Sequence, residues 1–187
     1  MICDLNKEKG FWLLDDPDSR EHRYDVRLSD ALAEQFKGKS VVDFGCGFGK
    51  YVENFKAKGI ICDGYDGNPY TEQMTNGVCK VKDLTEKIIL KEDFDFVLSL
   101  EVAEHIPEKH ESMFISNLHR NNRHGIILSW GVPGQRGWGH VNCKTNDYVK
   151  GLFVNLLGYS NDVELETQLR DIAEFEWFKN TIMVFKR

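Results

Sequence analysis

The stretch Val41-Val42-Asp43-Phe44-Gly45-Cys46-Gly47-Phe48-Gly49-Lys50 constrains this chain more than any other. Two β-branched residues, an aspartate and an aromatic residue read as a short buried strand. Three glycines at alternate positions follow, and a helical pattern opens near Lys50. A strand that runs through glycines into a helix lets a ligand lie directly on backbone. The rest of the chain supplies the alternation such a unit needs. Before it, Leu28, Ala31, Leu32 and Phe36 recur at helical spacing and Gly38 stops them. After it come a helix through Tyr51, Val52 and Phe55 ended by Gly59, and a second strand over 60–65. Residues 68–76 read as a helix with Pro69 in its first turn, 79–81 as a short strand, and 85–90 as a brief helix or turn. The run 95–100 is apolar enough for a central strand. Pro107 then opens a helix with Met113, Phe114, Ile115 and Leu118 inward, and 126–130 is a fifth strand leading into a glycine-rich loop over 131–140. Thr145 caps a helix through Val149, Leu152, Phe153 and Leu156 that Gly158 ends. A helix over 164–173 and a last strand over 181–185 complete a parallel α/β sheet with helices on both faces.

At 187 residues the chain is expected to form one domain, 1–187, with 1–38 as an N-terminal lid and helix extension. Residues 1–27 are polar and aromatic without clear periodicity. No run approaches a membrane span, and the N-terminus lacks an apolar signal core, so a cytoplasmic protein is expected. The five cysteines are scattered without a Cys-x-x-Cys pair, which fits reduced thiols rather than a zinc site. A net charge of −6 argues against nucleic acid or an anionic membrane as partner. The one basic cluster, 118–124, reads as a helix end, where cations suit the dipole.

Ligands of such sheets bind beyond the carboxyl ends of the strands, and unusual residues stand at those ends. The glycine loop follows the first strand, Asp66-Gly67-Asn68 the second and Asp83-Leu84 the third, with Glu101 after the fourth. A dinucleotide needs Gly-x-Gly-x-x-Gly, but Lys50 holds the third position and Gly49 comes one residue early. S-adenosylmethionine carries no phosphate and accepts the crowded turn. Asp66 lies about 20 residues after the glycines, where a carboxylate can accept from both ribose hydroxyls. Asp83 either accepts from an adenine amino group or makes a turn.

Asp43-Phe44-Gly45-Cys46-Gly47-Phe48-Gly49, Asp66, Asp83 and the run from Phe94 to Glu101-Val102-Ala103-Glu104-His105-Ile106-Pro107 together resemble a class I S-adenosylmethionine-dependent methyltransferase. The resemblance is to the small single-domain group with a Glu-x-x-Glu-His-Ile signature, and it covers roughly residues 40–130. It implies a Rossmann-like three-layer sandwich whose mostly parallel seven-stranded sheet has an antiparallel last strand. It also implies S-adenosylmethionine as cofactor, held by Asp43, Gly45, Gly47, Asp66, Gly67, Asp83, Leu84 and Glu101, with Glu101 near the transferring methyl. Glu104 and His105 read as structural.

The length leaves no room for a substrate domain, so a small-molecule acceptor is expected, with oxygen favoured over nitrogen. A hydroxyl acceptor needs a base, and His140 is the preferred candidate beside Glu101. Trp138 and Asn142 after the fifth strand, with Trp12 and Tyr24 before the first, are candidate acceptor contacts. Arg23 or Arg27 is placed to meet the cofactor carboxylate. Trp177, Phe178 and Asn180 read as packing. No triad of carboxylates suits a divalent metal, and metal dependence is not expected. An NAD-type oxidoreductase and a non-catalytic S-adenosylmethionine-binding partner protein are the alternatives.

Overall fold

The computed structural model describes residues 4–16 and 22–187; Cys3 lies outside them. The chain opens with a hairpin, β1 (Asp4–Asn6) and β2 (Phe11–Leu13), turned at Gly10 with φ +80°. Helix α1 (Val26–Gln35) follows, its first turn capped by the Asp25 carboxylate accepting from Leu28 N at 2.9 Å. Then come β3 (Ser40–Phe44), α2 (Lys50–Ala57), β4 (Ile61–Asp66), α3 (Thr71–Met74), β5 (Lys80–Val81) and β6 (Phe94–Ser99). The C-terminal half adds α4 (Glu111–Arg120), β7 (Asn122–Ser129) and α5 (Asn146–Lys150), which widens into a π-helical segment over Gly151–Leu156. Next are β8 (Ser160–Asn161), α6 (Val163–Ile172), α7 (Glu176–Thr181) and β9 (Ile182–Lys186).

Seven strands form one sheet in the order β5-β4-β3-β6-β7-β9-β8. β9 runs antiparallel to both its neighbours and all other pairings in the sheet are parallel. The expected sandwich with its reversed last strand is therefore present. Strand pleating divides the core into two layers. Val42 and Phe44 of β3, Ile126 and Leu128 of β7, and Met183 and Phe185 of β9 face Phe114, Leu118 and Phe153. The intervening Val41, Ile127, Ile182 and Val184 face Leu28, Leu32, Val52, Phe55 and Leu169 on the opposite side.

Several expected boundaries move. The helix expected over 68–76 contracts to α3, and 85–90 forms no regular element. Its backbone is tied instead by Asn117, whose Oδ1 accepts from Ile88 N and whose Nδ2 donates to Leu84 and Glu86 carbonyls. β7 begins at Asn122, so part of the basic cluster starts a strand rather than ending a helix. Arg187 donates to the Asn122 and His119 carbonyls there. The N-terminal hairpin, β8 and α7 are additions to the expected elements, and Thr181 ends α7 instead of opening the last strand.

Candidate active site

A cavity of about 360 Å³ opens at the carboxyl ends of β3, β4 and β6, within the size range of small-molecule sites of roughly 300–1,000 Å³. One wall carries Asp43, Gly45, Gly47, Asp66, Gly67 and Leu84. The glycine loop has left-handed backbone at Gly45 (φ +88°), Gly47 (φ +52°) and Gly49 (φ +72°), which L side chains resist. A Cβ on Gly45 would lie 2.2 Å from a Val102 methyl, and one on Gly47 would lie 2.8 Å from His22 Nδ1. Asp66 locks the loop in place: Oδ2 accepts from Gly47 N and Oδ1 from Asn68 N, each at 2.9 Å. Each oxygen keeps a further lone pair. Asp43 is buried behind the loop, and burial, with the Asp66 charge second, pushes its carboxyl up to about 8.

The opposite wall is built from distant segments. The hairpin contributes Lys9, Phe11 and Trp12, the β6 end Glu101 and His105, and the loop after β7 contributes Gln135, Trp138 and His140. Trp12 stands at its centre, with ring centroids 4.9 Å from His22, 5.4 Å from His105 and 5.7 Å from Trp138. Glu101 adopts a left-handed backbone (φ +53°) that is strained for a side-chain-bearing residue, a condition that collects at functional sites. Its amide donates to Ser129 Oγ at 2.8 Å, its Oε2 accepts from Gln135 Nε2, and Thr181 Oγ lies 3.1 Å from Oε1. Tyr24 and Arg23 line the cavity from the segment before α1, and Trp177 and Phe178 close it from α7.

Beneath this wall lies a group whose sequence context suggests a structural role alone. Glu104 is fully buried, neither carboxylate oxygen has a hydrogen-bond partner, and His105 Nδ1 has none either. His140 Nε2 is 3.9 Å from Glu104 Oε1. Burial, reinforced by Glu101, raises the Glu104 carboxyl well above the usual carboxylate range. Burial, then His140, lowers His105 to about 4. The signal in the sequence is faint, because His140 is far from Glu104-His105 and shares no local spacing with them.

Two expected contacts stand apart from the cavity. The Asp83 carboxylate is turned to the hairpin, 2.8 Å from Lys9 Nζ, and accepts from Thr85 N at 2.8 Å. Burial works against its charge, yet Lys9 and Thr85 hold it below the ordinary range. Asn142 is buried: Nδ2 donates to Glu111 Oε2 at 2.9 Å and its carbonyl accepts from Trp130 Nε1 at 2.7 Å. It therefore fixes the loop after β7 instead of meeting a ligand. Arg27 is likewise absent from the cavity wall, whereas Arg23 is on it. Lys9, Phe11, Gln135, Trp177 and Phe178 are wall residues that carry no motif in the sequence.

A family model described as a methyltransferase domain matches residues 18–135. A probable chloroplastic tocopherol O-methyltransferase of rice (Oryza sativa subsp. japonica) is 32% identical over 111 residues, which is 50% of this chain. The chain covers only 30% of that relative's length. In fold, it matches a magnesium protoporphyrin IX methyltransferase from Synechocystis with bound S-adenosylhomocysteine, at TM-score 0.62 and 17% identity over 85% of this chain and 81% of that one. An amino pentose methyltransferase from Micromonospora echinaspora with bound S-adenosylmethionine matches at TM-score 0.62 and 13% identity, over 85% and 89%. No helix among the described residues is long and apolar enough to cross a membrane.

Proposed function

The chain belongs to the methyltransferase domain family, and on that premise we propose that it moves the methyl group of S-adenosylmethionine onto a hydroxyl oxygen of a small molecule. The observation that carries the cofactor half is the Asp66 carboxylate, tied to Gly47 N and Asn68 N at the cavity edge with a lone pair left on each oxygen. That arrangement suits the two adjacent hydroxyls of a ribose. Gly45 and Gly47 leave bare backbone beside it, which suits the methionyl part. Leu84 offers an apolar face to the adenine, and Asp43 offers a carboxyl to a cationic ligand.

When bound, S-adenosylmethionine supplies an electrophilic methyl on a sulfonium. The work left to the protein is alignment of the acceptor atom with that methyl in a site screened from water. Trp12, Trp138 and Tyr24 are the proposed acceptor contacts, and the hairpin that carries Trp12 is the proposed cover. As the new oxygen–carbon bond forms, the hydroxyl proton must leave. Glu101 and His140 line that wall and are the groups proposed to take part. His140 is constrained as a free base: Nδ1 is 3.3 Å from the Gln135 carbonyl and Nε2 faces Glu104. Its contribution is proposed to run through Glu104.

Calorimetry with S-adenosylmethionine should show binding that Asp66→Ala weakens strongly; unchanged affinity in that variant would overturn the assignment of the cofactor half. A screen of labelled methyl donor against hydroxyl and amine acceptors tests the chemistry. Label appearing only on amines would replace the oxygen reading, and cofactor binding without label transfer to any acceptor would favour a non-catalytic binding protein.

A further inference from the structure

A fully buried carboxyl group with no hydrogen-bond partner must either hold its own proton or gain a counter-charge. Glu104 lacks such a partner on both oxygens. The Glu101 carboxyl and imidazole both face it. His140 Nδ1 lies 3.3 Å from the Gln135 carbonyl and 3.7 Å from Cys143 Sγ, and the carbonyl favours the tautomer with its proton on Nδ1 and the lone pair on Nε2. That lone pair meets Glu104 Oε1 across 3.9 Å, too far for a hydrogen bond. One ligand atom each from Glu104, His105 and His140 fall within 4.8 Å of one another. Two ligand atoms held about 2.0–2.2 Å from a shared ion sit roughly 3–4 Å apart, so side-chain shifts of about an ångström close this set.

The surrounding backbone is shaped around the same three residues. Each of three glycines in the loop after β7 approaches a different member. A Cβ on Gly131 would lie 3.1 Å from Glu104 Cγ, one on Gly137 2.0 Å from His140 Nε2, and one on Gly139 3.3 Å from His105 Nδ1. The amides of Val141 and Asn142 both donate to the Glu104 carbonyl at 2.9 Å, which fastens the loop over the group. A carboxyl group buried only to fill space needs neither two imidazoles beside it nor glycines at the points where the loop meets these residues.

We propose that Glu104, His105 and His140 bind one divalent first-row transition-metal cation at the floor of the acceptor side of the cavity. Two imidazole nitrogens and one carboxylate favour zinc, cobalt or iron over magnesium and calcium, which prefer shells of oxygen. Glu104 lies below the cavity while His105, His140 and Glu101 line it, so an ion held there keeps open positions toward the acceptor. An acceptor hydroxyl on such a position is acidified by the ion, and Glu101 is placed to take its proton. This last step rests on the methyl-transfer reading; the cation site does not.

The test uses the full chain, freed of metal by a chelator and titrated with cobalt(II). One equivalent is expected to produce a saturable visible absorption band that zinc(II) abolishes. Glu104→Gln and His140→Gln are each expected to weaken cobalt affinity at least tenfold. S-adenosylhomocysteine binding, measured on the same samples, establishes that each variant is folded. If Glu104→Gln does not fold, His140→Gln carries the test, since that side chain is partly exposed. Absence of a saturable band in the wild-type chain, or a band of undiminished affinity in the folded variants, overturns the proposal. Neither result bears on cofactor binding, which the S-adenosylhomocysteine titration reads separately.

Discussion

The cavity has two walls made in opposite ways. The wall proposed to hold the cofactor is local: β3, the glycine loop and the end of β4 place Asp43, Gly45, Gly47 and Asp66 within a span of 24 residues. Its polar groups are mostly satisfied, with both Asp66 oxygens already on backbone amides. The acceptor wall gathers the hairpin, the β6 end, the loop after β7 and α7. There, Glu104 and His105 Nδ1 are unpartnered and Glu101 is strained. A wall preformed by hydrogen bonds binds one ligand shape; a wall that stores unpaired groups and strain is the one poised for chemistry.

Three substitutions separate the walls, and the largest effect belongs to the cofactor side. Gly47→Val puts a β-branched residue at φ +52° and drives its Cβ toward His22. Affinity for S-adenosylmethionine is expected to fall more than about a hundredfold by calorimetry. Asp66→Ala gives a net loss of roughly ten- to a hundredfold, the worth of one charge-assisted hydrogen bond of about 1.5–3 kcal/mol. Gly137→Ala acts on the other wall alone. Its Cβ would displace the His140 ring from 2.0 Å away, so kcat should drop about tenfold while cofactor affinity holds within about twofold. A Gly137→Ala enzyme that loses both would show that the walls are coupled.

Proton linkage sharpens the contrast further. The Asp43 carboxyl is raised to about 8 in the folded chain, so between about pH 4 and pH 8 the native state holds a proton that the unfolded state has lost. Stability contributed by this group is complete below pH 4 and declines as pH rises through that window, with a slope of up to about 1.4 kcal/mol per pH unit, then levels. Denaturant unfolding across pH should show the decline, and Asp43→Asn should flatten it. A cationic ligand entering beside Asp43 favours its charged form, so cofactor binding near pH 7 should release a proton. Calorimetry in two buffers of different ionisation enthalpy would measure that release.

The same contrast explains what the sequence makes legible. A sheet strand carries its own signature in its pleat, so β3, β4, β6 and the two core faces can be read from the order of residues alone. Glycines followed by an acid about one βα unit later also state their purpose locally. The hairpin cannot be read this way: β1 and β2 have three residues each, too few to show alternation, and they are stabilised by docking, with Phe11 against Gly67 and Leu14 against Phe48 and Met74. Glu104, His105 and His140 meet only because β6 and β7 are neighbours whose carboxyl-end loops converge. Asp83 shows the converse: of its two readings the turn is the one its bond to Thr85 N makes, and Lys9, from a segment without a pattern, takes up its other oxygen.

Lys9→Met gives the smallest effect and tests whether the hairpin belongs to one wall or both. Lys9 Nζ reaches Asp83 Oδ2 at 2.8 Å and Glu86 Oε1 at 3.2 Å, with the Lys9 and Asp83 side chains about a quarter exposed. Solvent screening keeps such exposed pairs weak. The global melting temperature should change little, and amides of β1 and β2 should exchange no more than about fivefold faster. Cofactor affinity discriminates between two roles for Asp83. If its carboxylate only anchors the hairpin, S-adenosylmethionine should bind about threefold more weakly or less, through a looser cover. This is the expected result, because Asp83 lies off the cavity wall and remains bonded to Thr85. Tighter binding would instead mean that Lys9 competes with adenine for Asp83, and that the hairpin must release it as the cofactor enters.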